Sequence, residues 1–131
     1  MDFDKSVILQ EALQIRYFEK RLLEEYKKGS IHGTVHTCIG QEVFPCILSK
    51  YSSDYYWFSN HRGHGHYIAK TRDFEGLASE ILLKEDAVAA GVGGSQHLKN
   101  NKFISNGVQG GQTGIAVGYS SEINNKDKYK S

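Results

Sequence analysis

A chain of 131 residues with 39% hydrophobic and 24% charged side chains suits one ordinary globular domain, or part of a larger one. A formal charge of +1 creates no long-range field to recruit nucleic acid or an anionic membrane, and neither is expected as a partner. No apolar run approaches the roughly 20 residues of a membrane span, and the acidic start MDFDKS is unlike a secretory signal, so the chain is read as cytoplasmic.

The first element is the clearest. Ile8, Ala12, Ile15, Phe18, Leu22 and Tyr26 recur at the helical period and predict an amphipathic helix over residues 5–28. Asp4 is its expected N-cap, Gly29 its stop, and its charged face is read as solvated surface. GSIHGTVHTCIG follows as a loop, and QEVFPCILSKY as a shorter helix with Pro45 in the first turn, where a missing N–H is tolerated. Cys38 and Cys46 lack a CxxC spacing and read as reduced, buried thiols.

DYYWFS is an aromatic, β-favouring run and predicts a buried strand ending at Ser59. SNHRGHGH therefore lies at the carboxyl end of a strand and leads into a helix at YIAK, the position where open α/β sheets bind ligands. DFEGLASEILLK is helical again, with Phe74, Leu77, Ile81 and Leu82 on one face. Eight of the fourteen glycines then fall between Gly91 and Gly118, mixed with Val, Ile, Gln and His, which predicts ordered turns rather than a linker. GQTGIAVGYSSEIN reads as a last helix entered through glycines, and NNKDKYKS as a polar tail. The fold class is α/β, helix-rich, with a sheet that one strand cannot complete.

Three of the six histidines crowd around Arg62 in SNHRGHGH. A metal site could use His64 and His66 with His61 or His97, but both cysteines are placed in the core and the nearest carboxylates, Asp54 and Asp73, flank the stretch at a distance. No metal ligand is assigned. A phosphate site uses more of the residues: Arg62 offers planar bidentate donors, His61 and His64 offer ring nitrogens, and Gly63 and Gly65 allow close backbone approach. On spacing alone a polar loop capping nearby carbonyls fits equally well.

Three further clusters shift that balance: HGTVHTCIGQEV, with His36 four residues before Gly40-Gln41-Glu42; VGGSQH; and SNGVQGGQTG, whose glycines lead into a helix N-terminus. None matches the dinucleotide fingerprint or the P-loop. In this order and spacing, the series IRYFEKRLLEEYKKGSIHGTVHTCIGQE, SNHRGHGHYIAK, GVGGSQHL and SNGVQGG resembles the N-terminal part of the alpha subunits of thiamine-diphosphate-dependent 2-oxo acid and acetoin dehydrogenases, from about Ile15 to Tyr119.

The resemblance implies a transketolase-like α/β fold with an incomplete, mainly parallel sheet, residues 1–131 forming the N-terminal part of the alpha-type domain. It implies thiamine diphosphate as cofactor, with Arg62 and His61 at the diphosphate and with Gly107 and Gln109 on the stretch that approaches it. His61 stands where many members have tyrosine, and Gln109 where the family often has valine. His36 and His64 match histidines of the active centre and are the implied catalytic pair, moving protons and stabilising charge while the cofactor acts as electron sink. Gln96 replaces the usual methionine of GGSMH, a swap read as solvent-facing.

A beta-type subunit or domain, a lipoyl acyltransferase core and a small-molecule substrate are the implied partners, in a hetero-oligomer. The form HRGHGH points toward the acetoin-type branch. The family's Gly-Asp-Gly and later asparagine pair, which bind magnesium, are absent, and Asn124-Asn125 lacks the preceding Gly-Asp-Gly. The isolated chain is therefore expected to bind the cofactor weakly and to need a complementary chain or C-terminal region. A thiamine-diphosphate lyase or transferase of sugar or secondary metabolism is the alternative enzyme reading, and a non-catalytic interaction protein the alternative outside catalysis.

Overall fold

The computed structural model describes residues 4–128, with side chains to residue 123. Helix α1 (Lys5–Lys27) starts at Asp4, whose carboxylate accepts from the Ser6 N–H at 2.9 Å and so satisfies one of the orphan donors of the first turn. Its buried stripe is Ile8, Glu11, Ala12, Ile15, Glu19 and Leu22. Two carboxylates thus lie in a stripe expected to be apolar, and Tyr26 is largely exposed. The expectation of a wholly solvated charged face is corrected here. Glu11 is drawn inward because it takes Lys50 and Arg72 as ionic partners.

Helix α2 (Val43–Tyr51) carries buried Pro45 and Cys46 in its first turn. Strand β1 (Trp57–Ser59) ends where expected, and α3 (His64–Thr71) begins at His64, three residues ahead of YIAK. Helix α4 (Phe74–Ile81) is capped by Asp73, which accepts from the Gly76 N–H at 2.7 Å. It stops at Ile81 instead of running to Lys84, since Leu83 takes a left-handed φ of 58° and Leu82 is exposed.

Two short strands, β2 (Lys99–Asn100) and β3 (Phe103–Ser105), complete a three-stranded sheet of order β1-β3-β2. β3 runs parallel to β1, with Trp57 opposite Phe103 and Ser59 opposite Ser105, and antiparallel to β2. The sheet is mixed, which corrects the expectation of a parallel one; β2 and β3 are joined by a turn at Asn101–Lys102 too short for a crossover.

The core lies between α1, α2, α3 and the inner face of this sheet. Ile15, Cys46, Tyr67, Ile68, Leu77, Ile81, Leu98 and Phe103 are at most 1% exposed. Tyr67 and Phe103 meet edge to face at 5.4 Å and tie α3 to β3. α3 packs tightly on the coil before α2 because Gly65 has no side chain: a Cβ there would come within 2.8 Å of the Cys38 sulfur. Helix α5 (Gly111–Lys128) touches the body chiefly through Tyr119, whose ring lies tilted against Tyr56 at 4.6 Å and edge to face with Phe58 at 5.7 Å. Asn124 and Asn125 belong to its backbone, but their side chains lie outside the described residues. No described helix is long and apolar enough to cross a membrane.

Candidate functional site

The turn at the end of β1 is folded back on the coil that precedes α2. Asn60 Oδ1 accepts from the Arg62 N–H at 2.9 Å, which shapes the turn, and Arg62 Nη1 donates to the Thr37 carbonyl at 2.6 Å. The guanidinium is exposed, with most of its donors still available. One residue earlier, the His61 ring packs edge to face on His36 at 5.2 Å. Its Nδ1 is buried and has no hydrogen-bond partner among the described residues.

His36 is half-buried and held by the glycine-rich loop. Its N–H donates to Ser95 Oγ at 3.4 Å, and its ring Nδ1 accepts from the Gln96 amide at 2.9 Å. Gln96 also donates to Thr34 Oγ1 at 2.9 Å. It therefore faces the cluster, which corrects its reading as solvent-facing; the backbone of residues 93–97 turns its side chain onto the coil. Gly107 lies against the same amide: a Cβ there would stand 2.3 Å from Gln96 Oε1 and 3.2 Å from His97 Nε2. Four sequence clusters thus converge on one surface, through His36, His61, Gln96 and Gly107, with Arg62 at its edge. Gln109 lies on the exposed turn before α5 and makes no side-chain hydrogen bond among the described residues.

His64 sits behind this surface. It is fully buried, with Nδ1 3.1 Å from both Glu19 oxygens and Nε2 2.9 Å and 3.0 Å from the Ser95 carbonyl and hydroxyl. Both ring nitrogens are engaged by the protein. Burial alone would raise the Glu19 carboxyl, yet its bonds to His64 and to the Cys38 N–H at 2.9 Å hold it below the usual carboxylate range. His66, next on α3, is pushed below the ordinary imidazole range by burial, and its Nδ1 bonds Ser59 Oγ at 2.7 Å.

The loop bearing Ser95 and Gln96 is organised by a carboxylate that sequence reasoning missed. Glu80 is 0% exposed and accepts from the N–H groups of Ala89 at 2.7 Å, Gly91 at 3.1 Å and Gly93 at 2.7 Å. Its place between Leu77 and Ile81 on the buried face of α4 was the available signal. Glu42 plays a matching part at the GQE stretch: its oxygens accept from Gly40 N–H at 3.1 Å and 3.0 Å and pair with Arg16. Bonding to Arg16 lowers its carboxyl below the ordinary range. Among the described residues no group of three or more His, Cys, Asp or Glu could hold a metal ion.

Residues 10–129 match the model of the dehydrogenase E1 component family. The chain belongs to that family. Among curated relatives of this E1-type chain, the alpha subunit of acetoin:2,6-dichlorophenolindophenol oxidoreductase of Bacillus subtilis is 36% identical over 83% of this chain and 34% of its own length. The corresponding subunit of Cupriavidus necator is 34% identical over 90% of this chain and 36% of its own. The alpha subunit of the pyruvate dehydrogenase E1 component of Rhizobium meliloti is 32% identical over 83% and 32%. The chain thus spans about a third of the length of these relatives. The motifs of this E1-type chain that the sequence placed apart are those the fold brings together around His36.

Proposed function

We propose that this chain supplies the diphosphate- and substrate-facing part of a thiamine-diphosphate-dependent E1 component acting on a 2-oxo acid or acetoin-like substrate. It is completed by a beta-type subunit and by residues outside this chain, and it passes its product to a lipoyl acyltransferase core. One observation carries the reading: the buried His61 Nδ1, unpartnered among the described residues, lies beside the His36 ring and next to an exposed Arg62 guanidinium. An orphan polar atom at a cationic turn suits a ligand with anionic oxygens. That donor set fits a diphosphate. Magnesium fits less well, since no described cluster could hold it; its ligands are left to residues outside this chain.

When bound, thiamine diphosphate supplies a carbon nucleophile and an electron sink for decarboxylation or carbon–carbon cleavage. Arg62 and His61 bind and orient the anionic end, with Thr37 keeping the guanidinium in place. His36 handles the proton at Nε2, the ring nitrogen that makes no hydrogen bond among the described residues. His64 acts one layer back, as a positioning residue that joins α1 to the Ser95 loop. Gly107 and Gln109 line the approach, Gly107 by making room for the Gln96 amide and Gln109 from the turn before α5.

The test is calorimetry with thiamine diphosphate and magnesium. The isolated chain should bind weakly, and the assembled enzyme tightly. Replacing Arg62 by Ala in the assembled enzyme removes a charge-assisted bond, for which a loss of about 1.5–3 kcal/mol is expected, tenfold or more in affinity. Unchanged affinity would refute the clamp.

A further inference from the structure

Resting on the reading of His36 as the proton-handling group, we propose that Gln96 is a positioning residue that fixes His36 as the neutral Nε2–H tautomer, within a niche that Gly107 keeps open. A neutral imidazole has one donor and one acceptor nitrogen, and a partner on one nitrogen decides which carries the proton. The Gln96 amide nitrogen stands 2.9 Å from His36 Nδ1 and 2.9 Å from Thr34 Oγ1. Its two hydrogens are thereby both placed, one on a ring nitrogen that must be unprotonated to accept it. The proton of the ring is left on Nε2, the nitrogen that no described residue engages.

The carbonyl end of the amide is positioned by space. Gln96 Oε1 occupies the volume above Gly107, where a Cβ would come within 2.3 Å. Turned over, the amide would present Oε1 to Thr34 Oγ1 and to Nδ1, and the ring would then carry its proton on Nδ1, so amide orientation and tautomer are a single choice. The backbone N–H of His36 donates to Ser95 Oγ at 3.4 Å and fixes the chain beneath the ring, whose second fixed point is the edge-to-face contact with His61 at 5.2 Å. Consecutive residues of the Glu80-bound loop therefore control the backbone and the tautomer of His36 together. A methionine at position 96 has no N–H to give and would leave the tautomer to other partners.

Two-bond proton–nitrogen spectra of the full chain labelled with nitrogen-15 histidine test this, with His36→Asn identifying the His36 signals. The wild type should show Nδ1 as an unprotonated acceptor and the proton on Nε2. Gln96→Glu, which only accepts, should transfer the proton to Nδ1, and Gln96→Met and Gly107→Ala should each give a mixture of tautomers. A wild-type Nδ1–H signal, or an unaltered pattern in both Gln96 variants, would overturn the proposal. In the assembled enzyme Gln96→Glu should lower kcat about ten- to a hundredfold with little change in KM, by analogy with the partners that orient metal-ligating histidines. A tautomer that moves while turnover does not would sustain the Gln96–His36 pairing and refute the catalytic reading of His36.

Discussion

Glu19 and His64 meet in the interior, the ring Nδ1 3.1 Å from both carboxylate oxygens and neither residue exposed to solvent. They are 45 residues apart and join α1 to the first turn of α3, behind the surface that carries His36 and His61. The same carboxylate holds the Cys38 N–H and so fixes the coil that leads to His36.

Because the folded-state Glu19 carboxyl is held below its unfolded value, its stabilisation is present above the unfolded pKa and is lost as pH falls through the folded one. Glu19→Gln should flatten the acid limb of the stability-versus-pH curve. At neutral pH it should cost at least about 1.5–3 kcal/mol, the scale of one hydrogen bond to a charged carboxylate. Urea unfolding across an acid-to-neutral series measures both effects, and an acid limb parallel to wild type would count against this role.

Glu80 makes a similar commitment to the glycine-rich loop, with three backbone N–H groups on one carboxylate. Glu80→Gln keeps the shape but removes the charge and replaces one acceptor with a donor. Bonds to a charged group contribute about 1.5–3 kcal/mol each, though not additively. We expect at least about 2 kcal/mol of destabilisation, on the scale of one such bond. Hydrogen exchange should accelerate first at Ala89, Gly91 and Gly93, ahead of the Leu77–Ile81 amides.

The helix α1 was legible because Ile8, Ile15 and Leu22 repeat at a period that only a helix satisfies. β2 and β3 were not, since strands of two and three residues carry almost no pattern and exist through their pairing with β1. The candidate site was legible as motifs that the fold brings together, and less so in the contacts each residue makes. His36 and His64 look alike in sequence, yet one presents Nε2 outward and the other has both nitrogens consumed by Glu19 and Ser95. Those partners lie 45 and 31 residues from His64, a separation that no local spacing encodes. Gln96 was misread for the same reason: whether a polar side chain faces water depends on the coil at Thr34, 62 positions away.

Ala90 has a φ of 56°, a left-handed conformation that an L residue adopts at a cost of about 1–2 kcal/mol. Its side chain is exposed, and its N–H donates to the Ala87 carbonyl at 2.9 Å, so the turn itself does not need a Cβ. Ala90→Gly relieves the strain but frees the unfolded chain by about 0.4–1 kcal/mol. The balance favours the variant by about 0.5 kcal/mol, a small rise in the urea midpoint at unchanged slope. A lower midpoint would mean that the loop draws packing from the Ala90 methyl.

Cys38 and Cys46 are both free and buried, 3% and 0% exposed. Reactivity belongs to the thiolate, so two barriers act together here, access and ionisation. Burial pushes the Cys46 thiol up to about 11, and burial with the neighbouring Glu19 carboxylate pushes Cys38 further still. Neither should react with iodoacetamide at neutral pH in the folded chain, and both should be alkylated once urea unfolds it. Glu19→Gln offers a separate handle: it removes the negative charge beside Cys38 and loosens the coil around it. Labelling of Cys38 should then run ahead of Cys46 in the variant under native conditions. Equal protection of the two thiols in that variant would show that Glu19 does not hold the Cys38 coil closed.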